Sequence, residues 1–421
     1  SHQNFADMQY GLDPAFRFTV GRAIYKGLAR FLAERKDRQL VIQPLPVKNF
    51  AIRRTGKQKY RLSWEPTPDR LEPTAMPTKY IIMERTADLL GFNKIAETTS
   101  THYDLKVADD DIHSFRVIAA NEGGVSFPSE TLAMRDVPGD GKPVLIINGF
   151  SRVSAPGHYS AGNEAGFNSD TDFGVPYIKD ISFTGYQTEF RRSAGESFGR
   201  SGSNYATTVI AGNTFDYPYV HGEAIADAGR GFVSASAGAV ENGDVKLTDY
   251  NTIDLILGKQ RSCPVGRGAT GHQFEAFPAA LQEAITEFTR GGGAIFVSGC
   301  HVGCDLWKAP DADSGDKEFA RRVLHFSYNG SMATRRGVAR VTASPMRMAR
   351  ADVKFNREPC RECYAVESPG CITPFGRDAH IAMRYVTNNQ SAAVCYNGSD
   401  YRSMVMAFPF ETILDGGERD A

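Results

Sequence analysis

The spacing of apolar residues changes twice along this chain, and each change marks a new kind of structure. In residues 1–40 a loop leads into one helix. Asp13-Pro14 is a start signal, with a side-chain acceptor at the cap and a proline where the missing N–H is tolerated. Phe16, Val20, Ile24, Leu28 and Phe31 then follow at spacings of three and four, a single apolar stripe. A lone helix does not bury such a stripe against itself. The stripe therefore packs on the later segments, or faces something outside this sequence, or stays exposed and adhesive.

Gln43-Pro44-Leu45-Pro46 ends the helical pattern, and a period of two replaces it. Tyr60, Leu62 and Trp64 alternate with polar residues, as do Tyr80 and Ile82, and Phe115, Val117 and Ala119. Strands with one wet face, separated by turns such as Pro66-Thr67-Pro68-Asp69 and Asn121-Glu122-Gly123-Gly124, predict a small antiparallel sandwich over 43–136.

Beyond Pro138-Gly139 the apolar residues run continuously in short blocks: Val144–Ile147, Phe232–Ala235, Ile253–Leu257 and Ala294–Val297. These are strands covered on both faces. Between the last two, Pro278, Leu281, Ile285 and Phe288 predict a helix that Gly291-Gly292-Gly293 stops. Strand, helix, strand predicts a doubly wound α/β domain over 140–417. The alternating runs Ala392, Val394, Tyr396 and Met404, Met406, Phe408 predict antiparallel additions. Residues 149–206, rich in Gly, Ser and aromatics, form a loop of the length that carries function, where open α/β sheets bind ligands.

Composition narrows the function classes. Forty-eight Lys and Arg against 49 Asp and Glu leave a net charge of -1, which gives no whole-chain footprint for nucleic acid. Between Arg30 and Lys57 eight basic residues face two acids without stacked aromatics, a solvated face. No apolar run approaches the ~20 residues of a membrane-spanning helix. The start Ser1-His2-Gln3-Asn4 reads as a processed or internal end. All seven cysteines lie at or after Cys263, so a disulfide framework does not define the fold.

Candidate chemistry centres on the strand ends. Ala294–Val297 leads through Ser298-Gly299 to Cys300-His301, where a turn at the top of a sheet exposes a thiol to helix N–H groups; Cys300 is a nucleophile or a small buried hydrophobe. Asp216 and His221 form a base-and-orienter pair, or a capping Asp and a backbone-bonded His. Asn148, Phe150, Asn213 and Tyr217 stand close by in sequence as substrate-binding candidates. Phe150, Tyr159, Phe167, Phe173 and Tyr177 make a sugar-stacking or protein-docking surface, or ordinary packing. Cys360-Arg361-Glu362-Cys363, with Cys371 and His380, is half of a zinc pattern, and a disulfide or two thiols is the simpler reading, so no metal ligand is assigned.

Leu62-Ser63-Trp64, and Ser114 to Asn121 followed by Gly124, Ser126 and Pro128, resemble the B strand, F strand and F–G turn of a fibronectin type III module. His113 stands where that family carries its corner tyrosine. Ile253 to Gly258, the helix at 278–290 and Cys300 resemble the last steps of a class I glutamine amidotransferase-like domain. The register departs by one, because the family's elbow would put its Cys at His301. Taken together with Ser1 to Met8, Gly21 to Gly27 and Phe408 to Ile413, the whole chain resembles the C-terminal portion of Bacteroidota envelope proteins labelled xanthan lyase or N-acetylmuramoyl-L-alanine amidase. That resemblance implies an amidase-tail helix at 1–40, a fibronectin type III sandwich at 43–136, and a flavodoxin-like or amidotransferase-like α/β domain at 140–417. It also implies a hydrolase or lyase directed at polysaccharide or peptidoglycan, or a non-catalytic glycan-binding scaffold. The location would be periplasmic, outer-membrane-associated or extracellular. Zinc would belong only to an upstream amidase domain in cis, with no cofactor in this chain.

Overall fold

A computed structural model describes residues 4–86, 91–139, 141–168, 170–175, 216–264, 271–346, 348–357 and 363–415. Two helices open it, α1 (Phe5–Leu12) and α2 (Pro14–Arg35). The Asp13 carboxylate accepts the Ala15 N–H at 2.9 Å, and Pro14 takes the first helical position, as the start signal predicts. The stripe, however, does not dock on the later segments. Ile24 is 60% exposed and Leu28 59%. The opposite face holds the helix: Arg22 and Lys26 meet the Asp69 carboxylate at 2.9 and 2.8 Å, and the Tyr25 hydroxyl accepts the Gln43 N–H. Ion pairs tie this face of α2 to the chain, and Phe18 adds a ring contact with Phe127 at 6.1 Å.

The sandwich comprises β1 (Lys48–Gly56), β2 (Lys59–Glu65), β3 (Lys79–Thr86), β4 (Asn93–Thr98), β5 (His102–Lys106), β6 (His113–Asn121), β7 (Gly124–Val125) and β8 (Leu132–Met134). One sheet runs β1-β2-β5; the other runs β4-β3-β6-β7, with β8 also on β6. This is the three-plus-four strand arrangement of a fibronectin type III module. The alternating residues turn inward as their period requires: Tyr60, Leu62, Trp64, Ile82, Phe115 and Val117 are all buried. His113, at the corner, receives two carboxylates, Glu84 at 2.8 Å and Asp109 at 2.7 Å. Burial disfavours its charge, yet these two partners raise its pKa above the ordinary value.

Five parallel strands follow. β9 (Val144–Asn148) leads through a hairpin of β10 (His158–Ala161) and β11 (Glu164–Phe167) and α3 (Tyr217–Asp227) to β12 (Phe232–Ser236). From there α4 (Ala237–Glu241) leads to β13 (Thr252–Gly258). A short hairpin, β14 (Cys263–Pro264) with β15 (His272–Gln273), and α5 (Ala279–Arg290) then lead to β16 (Ala294–Gly299). After α6 (Cys304–Lys308) and α7 (Ser314–Arg322) come β17 (Phe326–Gly330), β18 (Val338–Val341), β19 (Asp352–Lys354), β20 (Cys371–Pro374), β21 (Ala379–Tyr385), β22 (Ser391–Asn397) and β23 (Arg402–Met406). The parallel order β12-β9-β13-β16-β23 is 2-1-3-4-5 in chain order, a doubly wound order. Leu145, Ile147, Val233, Ile253, Leu255 and Val297 face α5, whose Leu281, Ile285 and Phe288 are buried as predicted. Val144, Ile146, Phe232 and Ile256 face the other way, toward Tyr217 and Tyr219 of α3. The last alternating run departs from expectation. β23 is antiparallel to β22 but parallel to β16, so it is the fifth core strand and the antiparallel additions begin at β22.

The two units share one sheet. β1 pairs with β12 at Ala51 and Ala235, which joins the β1-β2-β5 sheet to the parallel one in a continuous twelve-stranded path. Ser234 Oγ accepts the Ala133 N–H at 2.9 Å and donates to the Ala133 carbonyl at 2.7 Å, and the Arg135 and Phe232 backbones exchange hydrogen bonds. Arg85 of β3, fully buried, reaches the Asp216 carboxylate at 2.7 Å.

Candidate functional site at the crest of the parallel sheet

Asn148, Ser236 and Gly258 end β9, β12 and β13, so their loops leave the sheet at one edge. From β9 the chain goes first to one neighbour and later to the other, and a crevice opens where these loops part. A cavity of about 330 Å³ occupies it. Asn148 to Ser151, Ser236 to Gly238, Glu241, Gln260 and Glu275 line it from the α/β unit, and Lys48, Asn49 and Glu130 from the sandwich. Gly258 is required here: its φ is +45°, and a Cβ would lie 2.3 Å from the Phe150 ring. Gln260 Oε1 accepts the Ser151 and Arg152 N–H groups at 3.0 and 2.8 Å and so fixes the loop after β9.

Asn148 Nδ2 donates to Glu130 Oε2 at 2.6 Å across the seam between the units. Because an ionised carboxylate only accepts, this bond sets the amide's orientation. Asn148 is 6% exposed, and its Oδ1 finds no hydrogen-bond partner among the described residues. Burial pushes the Glu275 carboxyl up to about 7, and the negative charges of Asp311, Asp305, Asp316 and Glu241 add to the shift.

A second cavity of about 190 Å³ lies beside it, walled by Arg152, Asp172, Arg261, Cys263 and, from the N-terminal helices, Gln9 and Asp13. Its charges are spent internally. Buried Arg152 donates to Asp172 Oδ2 at 2.6 Å, to Ser154 Oγ at 2.9 Å and to the Lys259 carbonyl at 3.0 Å. Arg261 reaches the same Asp172 oxygen at 3.5 Å. Burial alone would raise the Asp172 pKa, but the two guanidinium groups hold it well below the usual carboxylate range.

The residues singled out from sequence fall into three places. Asn148 and Phe150 line the crest cavity, although the Phe150 ring is buried and stacks on Tyr217 at 5.7 Å. Tyr217 is core, and Asn213 and Tyr177 lie outside the described residues. Cys300 is 2% exposed, inside an apolar cluster, and burial drives its thiol pKa far upward. His301 is buried beside it; burial and the Arg261 charge hold its imidazole neutral. Neither residue borders either crest cavity.

Asp216 and His221 do not pair. The Asp216 carboxylate turns to Arg85 rather than capping α3, since the buried guanidinium needs a counter-charge. His221 instead sits between two buried carboxylates, Nδ1 on Asp254 at 2.7 Å and Nε2 on Glu411 at 3.3 Å. Glu411 also accepts the Tyr364 hydroxyl at 2.7 Å. Burial opposes the His221 charge, but the two carboxylates raise its pKa to about 9. Of the exposed aromatic surface, Tyr159 is open while Phe167 packs on Phe5 at 5.3 Å. Cys360 lies outside the described residues, and the Cys363 thiol donates to the Glu411 carbonyl at 3.6 Å.

Sequence reasoning missed Glu130, Glu241, Gln260 and Glu275, which come from four separate loops or helix ends. Only Glu275, three residues before the Pro278 helix start in a strand-to-helix loop, carried a positional signal. Among the described residues no group of three or more His, Cys, Asp or Glu is placed to hold a metal ion.

No protein-family model matches this sequence, and no curated protein does. Among solved structures, titin kinase with its flanking domains aligns over 22% of this chain and 16% of its own, at 22% identity and a TM-score of 0.20. The twitchin kinase region from C. elegans aligns over 24% of this chain and 18% of its own, at 24% identity and a TM-score of 0.21. The FN5 domain of Drosophila Lar aligns over 23% of this chain and 99% of its own, at 15% identity and a TM-score of 0.19. The chain thus spans less than a third of the length of the two kinase-region matches.

Proposed function

We propose that this chain is a cell-envelope protein directed at polysaccharide or peptidoglycan, and that it acts by binding saccharide in the crest cavity. The observation that carries this reading is a cavity of about 330 Å³ lined by both polar and apolar groups, near the lower end of the ~300–1,000 Å³ usual for small-molecule sites, at the switch point of a doubly wound sheet. Its amide, hydroxyl and carboxylate lining suits a polyol. The reading makes no use of Cys300. Titration calorimetry with xanthan fragments and with muropeptides tests it: Asn148→Ala should abolish binding of whichever ligand the parent binds, with the fold retained by circular dichroism. Absence of binding by the parent, or full binding by the variant, overturns the proposal.

A second reading, a hydrolase or lyase, is favoured by Glu275. A carboxyl poised near neutrality beside other carboxylates has the pattern of a general acid with its partner base. Glu275→Gln would then stop release of new sugar ends while leaving binding intact. The surrounding assembly belongs to the same proposal: a location outside the cytoplasm, and an upstream amidase domain in cis, carrying its own zinc, against the apolar face of α2. No helix among the described residues is long and apolar enough to cross a membrane.

A further inference from the structure

The opposite edge of the parallel sheet carries a second opening. Lys142 and Pro143 lead into β9, and Asp249 and Tyr250 precede β13, so these residues stand at the strand ends away from the crest. The β1–β2 turn reaches the same edge, because β1 lies beside β12 and β12 beside β9, and Arg54 Nη1 donates to the Gly141 carbonyl at 3.0 Å. An open groove of about 740 Å³ lies there, lined by Arg53, Arg54, Lys57, Lys142, Asp249 and Tyr250 among others, and it shares no residue with the crest cavity. The Arg53 guanidinium donates to the Asp244 carbonyl at 2.8 Å and to Ser63 Oγ at 3.5 Å, neutral acceptors that orient it and leave its charge uncompensated. Lys57 and Lys142 are exposed, and among the described residues none of these three cations has an acid within ion-pair distance. Away from the groove the same two strands pair their cations: Lys48 meets Glu65 at 3.2 Å, and Arg61 meets Asp104 at 2.7 Å. Asp249 is the one acid of the described lining. With Asp140, which lies outside the described residues, added as a second acid and Arg54 left out of the count, cations still exceed acids.

We propose that this basal groove binds a segment of acidic polysaccharide, the carboxylates of successive uronic acid units meeting Arg53, Lys57 and Lys142. Guanidinium and ammonium groups accept a carboxylate or a phosphate equally well, so the rest of the lining decides which carrier fits. A nucleic acid strand would need exposed rings for its bases to stack on, and Tyr250, half-buried, is the one aromatic residue of the described lining. A bilayer surface would need large apolar side chains that insert below the headgroups, and the described lining has no Leu, Ile, Val, Met, Phe or Trp. A polyuronate needs neither, because its rings are polar and every unit carries a charge. An open groove also admits the interior of such a chain, where an enclosed pocket would take only its end. The groove stands at the other end of the strands from the crest cavity, so this inference and the saccharide reading above stand or fall separately.

The test is calorimetry of the full chain in low salt with polygalacturonate oligomers, their methyl esters, single-stranded DNA and phosphatidylglycerol vesicles. The expected result is binding of the polygalacturonate and none of the uncharged ester. The Lys57→Gln/Lys142→Gln variant, which alters two exposed and unpaired side chains, should weaken that binding about tenfold. Lys79→Gln/Lys94→Gln makes the same change in net charge on the other sheet of the sandwich, where both cations pair with Glu97, and should weaken it less than about twofold. No binding of polygalacturonate, or equal binding of the ester, overturns the inference. An equal loss in the two double variants shows attraction to net charge alone and overturns it, as does full binding by Lys57→Gln/Lys142→Gln, which places the polyuronate elsewhere. Tighter binding of DNA or vesicles than of polygalacturonate at equal charge concentration gives the groove to another class of partner and overturns it too. None of these variants alters a crest residue, so the crest reading is untouched by any of these results.

Discussion

The buried His221 makes a quantitative statement about stability. Its imidazolium lies between Asp254 and Glu411, with a pKa near 9 in the folded chain. The unfolded chain restores the ordinary value of about 6.5. The folded state therefore binds the proton more tightly, so the stabilisation is complete below pH 6.5 and is lost as pH rises through 9. The rise from about 6.5 to about 9 corresponds to roughly 3 kcal/mol in total, more than half of which disappears between pH 6 and pH 8. Urea unfolding at half-unit pH intervals measures this. His113, whose pKa two carboxylates raise, and Glu275 add their own pH dependence, so the decisive quantity is the difference between the parent and Glu411→Gln, which removes one carboxylate from His221 and leaves the other two sites unchanged. The variant's stability curve should be flatter from pH 6 to pH 9, as its His221 returns toward the ordinary pKa. Parallel curves would refute the reasoning and show that the His221 proton is not bound by this cluster.

Three further outcomes follow from the same packing. Iodoacetamide at pH 8.5 should leave Cys300 unmodified in native protein and label it only on unfolding, by peptide mass; labelling of the native chain would show that the sulfur is not sealed. Asp216→Asn, which strips the counter-charge from buried Arg85, should lower unfolding free energy by ~3–5 kcal/mol in denaturant titrations, and a smaller loss than 1 kcal/mol would mean that water reaches the guanidinium. Trp64 lies in the sandwich and Trp307 in α6, so single-tryptophan variants report the two units separately. Their unfolding midpoints should coincide, because a continuous sheet and a common core join the units, and two separated transitions would show that the seam at Ala51 and Ala235 does not couple them.

Much of the architecture was legible because burial imposes a local period. Tyr60, Leu62 and Trp64 alternate because one face of β2 is core; Val144 to Ile147 do not alternate because both faces of β9 are. Leu281, Ile285 and Phe288 mark one side of α5 for the same reason. Where a pattern depends on what lies across a sheet or beyond a helix, it misled. Met404 and Met406 alternate like an antiparallel edge, yet β23 has a parallel neighbour on one side and an antiparallel one on the other, a fact no local period encodes. The stripe on α2 is a clean helical signal, but the signal says nothing of what covers it. The site was harder still. Asp216 and His221 are five residues apart, yet each found its partner far along the chain, in Arg85, Asp254 and Glu411. Burial of charge demands a counter-charge at contact distance, and sequence proximity does not supply that distance.

The crest cavity depends on the same long-range logic. Its walls come from both units: Glu130 enters from the segment just before β8, and Asn148 from the end of β9. The hydrogen bond between them crosses the seam. A tethered sandwich free to swing would not hold Glu130 at 2.6 Å from Asn148, and the amide would rotate without a carboxylate to orient it. The pairing of β1 with β12 and the Ser234–Ala133 exchange fix that distance by making the sandwich an extension of the parallel sheet. The sandwich is thus not a passive spacer in this chain. It supplies Val47, Lys48, Asn49 and Glu130 to a cavity whose remaining residues lie on the α/β unit, so the two units are physically required together for that cavity to exist.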